Sequence, residues 1–139
     1  MKAVGLDVGS RTIGVAVTDD LGMLAHPKVT LDREGTKRDV ARVAALVAEV
    51  GAEHVVVGLP LTLEGEIGPR AKRVMILVEA LRAQLTIPVE TWDERFSTAG
   101  AARGLDESGV HGDRRKAIID QRAAAFLLQG WLDARRPVG

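Results

Sequence analysis

Cysteine is absent from this 139-residue sequence. Disulfide bonds, thiolate catalysis and zinc–thiolate sites are therefore excluded, and a reducing cytoplasm is the expected location. The sequence also has no apolar run long enough to span a membrane and no signal-peptide pattern, so we expect no membrane partner. Tyrosine is missing and aromatic residues make up 3% of the chain, so Trp92 and Trp131 are assigned to the core rather than to base stacking.

Net charge is also absent, because 19 basic residues balance 19 acidic ones. This balance argues against a histone-like protein that binds nucleic acid by bulk charge, although a local basic surface remains compatible with it. The chain is 46% hydrophobic, an ordinary value for a folded protein. Its length suits one domain with a substantial core, and we expect a single domain over residues 1–139.

The apolar periodicity predicts an α/β fold. Strands are predicted at residues 2–8, 13–19, 26–31, 54–59 and 88–92, and helices at 37–50, from 69 onward and at 115–134. A short helix through Arg103 and a polar loop at 104–113 are predicted before the last helix, and charged residues are assigned to the outer side of the first helix. This order predicts a five-stranded mixed sheet, with three antiparallel strands followed by two strands reached by right-handed helical crossovers.

Three carboxylates occupy positions where such a sheet gathers ligands. Asp7 ends an apolar strand, where a carboxylate is costly unless it is paired or binds a metal. Glu94 follows the strand at 88–92, and ligands bind beyond the carboxyl ends of parallel strands. Asp120 shares a helical face with apolar residues 3, 4, 7, 8 and 11 positions later, so it is expected to face the sheet. These apolar residues are Ala123, Ala124, Leu127, Leu128 and Trp131.

Inward carboxylates on separate elements suit hard divalent cations such as Mg²⁺ or Mn²⁺. Two such ions, about 3.5–4 Å apart, can activate a water and stabilise the leaving oxygen of a phosphodiester. The alternative interpretation makes Asp7 a turn cap, Glu94 a surface charge, and Asp120 a partner of Arg122 or Arg115. Asp93 is a further candidate ligand, but it adjoins Glu94, and neighbours in an extended segment point in opposite directions.

Four motifs carry a family resemblance. They are Gly5-Leu6-Asp7-Val8-Gly9 with residues 13–17, residues 57–61 with Gly65 and Gly68-Pro69-Arg70-Ala71, residues 93–99, and Ile119-Asp120 with Ala123-Ala124 and Leu127-Leu128. In this order they resemble the YqgF/RuvX family, which is described as Holliday-junction-resolvase-like or pre-16S rRNA-processing nucleases of ribonuclease H-like fold. The resemblance covers nearly the whole chain. It departs mildly at Phe96, where leucine is frequent, and at Ser97, where threonine is frequent.

The resemblance implies that Asp7, Glu94 and Asp120 are the catalytic, metal-binding carboxylates. It also implies a nucleic-acid substrate. Arg11 and Arg95 suit bidentate phosphate contacts but could equally neutralise the acidic cluster. The candidate substrate-binding residues are Arg11, Arg70, Arg95, Arg114, Arg115 and Lys116. The loop at 104–113 is a candidate substrate-gripping segment, and His111 within it is a weak candidate general base.

The carboxylates and the resemblance together predict a metal-dependent nuclease, and the resemblance implies processing of the 5′ end of pre-16S rRNA as the favoured role and RNA as the favoured substrate. A DNA junction resolvase is the first alternative, and it would require a homodimer with two sites. A kinase or ATPase is a weaker alternative, since no P-loop signature is present. A non-catalytic RNA-binding assembly factor is the last, and the three carboxylates argue against it.

Overall fold

The described residues of this computed structural model, 1–96 and 113–135, form a five-stranded mixed sheet; the side chains of Phe96 and residues 113–117 are not described. The strands are β1 (Ala3–Val8), β2 (Thr12–Thr18), β3 (Ala25–Asp32), β4 (His54–Leu59) and β5 (Val89–Asp93). Their order across the sheet is β3-β2-β1-β4-β5. β2 pairs antiparallel with β1 and β3, whereas β4 pairs parallel with β1 and β5. The predicted mixed sheet and its central first strand are confirmed.

The helices lie at or close to their predicted positions. They are α1 (Thr36–Val50), α2 (Pro69–Gln84) and α3 (Asp113–Arg135), and a single 3₁₀ turn, Glu94–Phe96, follows β5. The predicted short helix through Arg103, the loop at 104–112 and His111 lie outside the described residues. Across the parts of the chain that are described, no helix is both long and apolar enough to cross a membrane.

The two faces of β1 serve different layers of the molecule. Val4, Leu6 and Val8 belong to the core shared with α1 and α2. Ala3 belongs to the opposite core, shared with α3, and alternation places Gly5 and Asp7 on that same face. On the face that α3 covers, β1 carries the small residues Ala3 and Gly5. A Cβ added to Gly5 would lie 2.8 Å from the Leu128 Cβ. The sheet therefore lets α3 approach closely at the strand that carries Asp7.

One charged residue of α1 departs from the prediction that its charges face outward. The Asp39 side chain is fully buried, with 0% exposure. Its carboxylate accepts hydrogen bonds from the Arg33 Nε at 2.8 Å, the Arg42 Nη2 at 2.9 Å and the Glu34 N–H at 2.9 Å. Burial opposes ionisation of Asp39, but these donors outweigh it and lower its pKa. The carboxylate is tolerated inside because it is fully paired, and it fixes Arg33 in turn.

Candidate active site

Asp7 lies on the central strand, 1% exposed, on the face that α3 covers. Its cross-strand partner on β2 is Gly14. On its other side, Asp7 is one residue beyond Leu6, which pairs with Val57, so the next residue of β4, Gly58, lies alongside it. The carboxylate of Asp7 is thus flanked by a glycine on each neighbouring strand, at a strand spacing of about 4.8 Å.

Gly14 has no side chain where α3 comes down onto the sheet. A Cβ at this position would lie 2.0 Å from the Asp120 carbonyl oxygen. The Asp120 side chain is 5% exposed, and its Oδ2 accepts a 2.6 Å hydrogen bond from the Thr12 hydroxyl. Thr12 shares its face of β2 with Gly14, since the two are two positions apart in the strand. Asp120 therefore faces the sheet, as its helical spacing predicted, and lies over the strand next to Asp7.

Gly58 provides the matching gap on β4. A Cβ there would lie 2.7 Å from the Glu94 Oε1 and 2.9 Å from the Leu127 Cδ2 of α3. The Glu94 side chain, from the 3₁₀ turn after β5, thus reaches back over the strand beside Asp7. The structure brings Asp120, Asp7 and Glu94 to three adjacent strands on one face, although they are remote in sequence.

Glu94 is half-buried, and its ionisation is perturbed. Burial raises the pKa of Glu94 and the negative charge of Asp93 adds to this effect, while the Arg70 guanidinium opposes it. A carboxylate with a raised pKa gains most from a nearby cation, because a positive charge offsets the cost of burying its ionised form. Perturbed titration of this kind is typical of functional sites, although structural clusters also show it.

Arg95 and Asp93 pair with each other. Arg95 donates to both carboxylate oxygens of Asp93, with Nε–Oδ2 at 3.0 Å and Nη2–Oδ2 at 2.7 Å, and this pairing lowers the pKa of Asp93. Its Nη1 also donates to the Leu63 carbonyl at 3.3 Å. Arg95 thus pairs with an acidic residue and contacts the loop before α2, and its role as a substrate-binding residue stays a prediction. The Asp93 carboxylate is likewise engaged by arginine, which favours Glu94 as the residue that faces the site.

The remaining predicted basic residues are spread over the molecule. Arg11 is exposed in the turn between β1 and β2. Arg70 is the second residue of α2 and acts electrostatically on Glu94. Residues 114–116 lie in the first turns of α3, but the side chains of Arg114, Arg115 and Lys116 are not described. Sequence reasoning did not single out Arg33, whose partners Gly9 and Asp39 are distant enough that no local pattern reveals them.

The donor set of this site consists of carboxylate oxygens, the ligands that Mg²⁺ and Mn²⁺ prefer. Within residues 1–96 and 113–135, no three Asp, Glu or His side chains surround a single point closely enough to hold an ion as they stand. One Asp120 oxygen is taken up by Thr12. Side-chain rotation is therefore needed before three carboxylates can meet at one cation, whereas their backbones already lie on neighbouring elements.

Comparison with known proteins assigns the chain to a family. The family model described as "RuvX: Holliday junction resolvase" matches residues 1–134. The chain belongs to the RuvX family. A Myxococcus xanthus relative is 48% identical over 137 residues, covering 99% of this chain and 91% of its own. A Chloroflexus aggregans relative is 47% identical over 133 residues, covering 96% and 94%. Both carry the name "Putative pre-16S rRNA nuclease", and the resemblance seen in the sequence is confirmed.

Solved structures confirm the fold of this RuvX-family chain. The structure described as T. thermophilus RuvC in complex with Holliday junction substrate matches with a TM-score of 0.57 at 18% identity, covering 97% of this chain and 95% of that one. The fowlpox virus Holliday junction resolvase matches with a TM-score of 0.54 at 14% identity, covering 96% and 99%. At such low identities the likeness concerns the fold alone.

Proposed function

We propose that this protein is a metal-dependent nuclease that hydrolyses phosphodiester bonds with Asp7, Glu94 and Asp120. The observation that carries the proposal is the row of three carboxylates on adjacent strands. Gly14 and Gly58 flank Asp7 in this row, and their missing side chains leave room for Asp120 and Glu94. Holding two buried carboxylates and a half-buried one side by side costs stability unless a cation or a proton compensates. A site for binding a negatively charged backbone has little use for them without metal.

Each residue of the row has a distinct task in this proposal. Asp7, rigidly held on the central strand, would ligate one or two Mg²⁺ or Mn²⁺ ions from the middle. Asp120 and Glu94 would rotate toward it from either side. Bound there, the metal would supply an activated water and stabilise the leaving oxygen of the phosphodiester. Thr12 would position Asp120 through its hydroxyl, and Arg70 would limit the repulsion that Glu94 meets before metal enters.

We further propose that the substrate is RNA and that the reaction is processing of the 5′ end of pre-16S rRNA in the cytoplasm, by one domain spanning residues 1–139. The names of the 38–48% identical relatives support this choice. Cleavage of a DNA junction is the second candidate, and the fold shared with the T. thermophilus RuvC supports it. That alternative requires a homodimer, since paired cuts need two sites.

The test uses end-labelled single-stranded RNA, single-stranded DNA and a four-way DNA junction, each with Mg²⁺, Mn²⁺ or a chelator. We expect metal-dependent cleavage of RNA by the wild type and its loss, by at least a hundredfold, in Asp7→Asn, which keeps the shape of the side chain and removes its charge. The same ions should raise the melting temperature of the wild type and not of Asp7→Asn, since ligands stabilise the state that binds them.

Three outcomes would contradict parts of the proposal. Undiminished cleavage by Asp7→Asn would refute the carboxylate assignment. Preferential cutting of the junction, together with a dimer by sedimentation, would replace RNA processing with resolution. Binding of all three substrates without cleavage would leave a non-catalytic assembly factor. The control is Asp133→Asn, which removes a carboxylate from the last turns of α3, away from the row.

A further inference from the structure

A cleft of about 620 Å³ opens on the other side of the sheet edge from the carboxylates. It lies between the turn after β1, the end of β4 and the N-termini of α1 and α2. Its lining residues are Val8, Gly9, Ser10, Arg33, Gly35, Thr36, Pro60, Arg70, Arg73, Val74 and Ile76. Three of them are arginines and none is acidic, although acidic and basic residues are equally frequent in the whole chain. The cleft is therefore a local positive site on a neutral protein.

The Arg33 guanidinium is fixed in place at the rim of this cleft. Its Nε donates to the buried Asp39, and its Nη1 donates to the Gly9 carbonyl at 2.9 Å. Among the residues that the structure describes, none accepts a hydrogen bond from its Nη2. A guanidinium held in this way loses little conformational entropy when it binds an anion, which increases affinity for that anion.

Arg70 and Arg73 contribute charge that no carboxylate neutralises directly. Both are exposed, and neither forms an ion pair within 4.0 Å with any residue of the described ranges. The Arg73 Nε makes only a long, 3.4 Å contact with the Pro69 carbonyl. The first turn of α2 adds to the positive potential, because this helix has neither a side-chain cap for its free N–H groups nor an acidic residue in that turn.

The cleft and the carboxylate row share one strand end. Val8 lines the cleft while its neighbour Asp7 points to the opposite face, and Arg70 both lines the cleft and acts on Glu94. The turn at Gly9 and Ser10 begins two residues after Asp7 and lines the cleft. A nucleic-acid strand that has its scissile phosphate at Asp7 and continues over this turn would bring its next phosphates to the three arginines.

We propose that this cleft binds a backbone phosphate next to the scissile one, through Arg33, Arg70 and Arg73. This inference rests on the proposed nuclease function, and it adds a site that positions the substrate without reading its sequence. Arg73 is a positioning residue here: it holds the strand in register with the carboxylates and does not touch the reacting atoms. Asp39 supports the site from within by orienting Arg33.

The test measures binding of a short fluorescent single-stranded oligonucleotide, RNA or DNA, in chelator, so that no cleavage interferes. Arg73→Gln should weaken binding roughly tenfold and make the negative slope of log affinity against log salt shallower by about 0.7, the value for one lost phosphate contact. The matched control is Lys72→Gln, which removes a neighbouring charge of α2 that does not line the cleft. Thermal unfolding verifies that both variants are folded.

A second arm locates the phosphate. In a series of oligonucleotides that each carry one uncharged methylphosphonate linkage, the effect of Arg73→Gln should disappear at a single linkage and persist at all others. A binding loss that is equal in both variants, or that no single linkage abolishes, would overturn the site. Absence of binding to any strand would overturn it as well.

The outcomes separate this inference from the nuclease proposal. Arg73-dependent binding by a protein that cleaves nothing would support the cleft and refute the nuclease. Cleavage by a protein whose oligonucleotide binding is unchanged in Arg73→Gln would support the nuclease and refute the cleft.

Discussion

Gly14 offers the sharpest test of how the carboxylate row is built. In Gly14→Ala the new Cβ would meet main-chain atoms of α3, the Asp120 carbonyl oxygen at 2.0 Å and its carbonyl carbon at 2.4 Å. Ordinary contact begins at 3.4 Å, so the two elements must separate by about 1.4 Å, the difference between 3.4 and 2.0 Å. Backbone atoms cannot rotate away, so the whole helix or strand has to move.

The magnitude follows from two effects. Overpacking a filled interface costs about 1–3 kcal/mol of folding free energy, and a catalytic group misplaced by about 1 Å costs on the order of a hundredfold in rate. We therefore expect Gly14→Ala to unfold at lower urea concentration and, under the proposed function, to cleave RNA at least a hundredfold more slowly. In Gly9→Ala, a control for stability, the closest atom to the added methyl is the Thr12 carbonyl oxygen at 3.3 Å, only slightly inside ordinary contact, so this variant should lose much less stability than Gly14→Ala. A Gly14→Ala protein with wild-type stability and wild-type cleavage would refute the close contact between α3 and β2.

Two further predictions concern buried polar groups. Thr12→Val removes the hydroxyl that donates a hydrogen bond to Asp120, so we expect a loss of about 1.5–3 kcal/mol in the free energy of unfolding and slower cleavage. The control is Thr18→Val, also on β2, which removes the hydroxyl that accepts a hydrogen bond from the Ala3 N–H; it should lose stability and keep its cleavage rate. Equal cleavage by both variants would count against the role of Thr12. Asp39→Asn removes a charge that two arginines surround, so we expect a loss of about 3–5 kcal/mol at pH 7, read from urea unfolding. Because the folded pKa of Asp39 lies below its ordinary value of 3.8, its stabilising contribution is present above that value and disappears as the pH falls through the lowered pKa. The free energy of unfolding of Asp39→Asn should therefore lack this decrease at acid pH. If it fell with pH as steeply as that of the wild type, the stabilising role of the Asp39 charge would be refuted.

Much of this architecture was readable from local patterns. The hairpin, the two crossovers and the inward side of α3 follow from periods of 2 and 3.6 residues, which act over a few neighbours. Asp120 is the clearest case, because its spacing to Ala123 and Leu127 predicts the burial that the structure shows. Gly51 likewise ends α1 in the left-handed conformation, as a glycine after a helix predicts.

What the sequence did not reveal depends on contacts between distant residues. Asp39 lies four residues before Val43 and so shares its apolar stripe, a signal that could have been used, but its partner Arg33 lies outside the helix. The Arg95 side chain pairs with a residue two positions away and with the Leu63 carbonyl, 32 positions away, a geometry that no helical or strand period encodes. The cleft that joins Arg33 to Arg73 exists only once two helix starts meet at the sheet edge.

The hydrogen bond from Thr12 to Asp120 can form only after the last helix has been synthesised. It joins residues 108 positions apart, so the second strand waits for the last helix before the row of carboxylates is complete. During synthesis, a chain that has formed its hairpin and its first crossover holds Asp7 in place but lacks Asp120. Long-range closures of this kind come late, because the entropy of the intervening chain is lost before the contact is gained. The row of carboxylates is therefore completed last, after the α1 and α2 core can form, and under the proposed function an incomplete chain has no complete site with which to cleave nucleic acid.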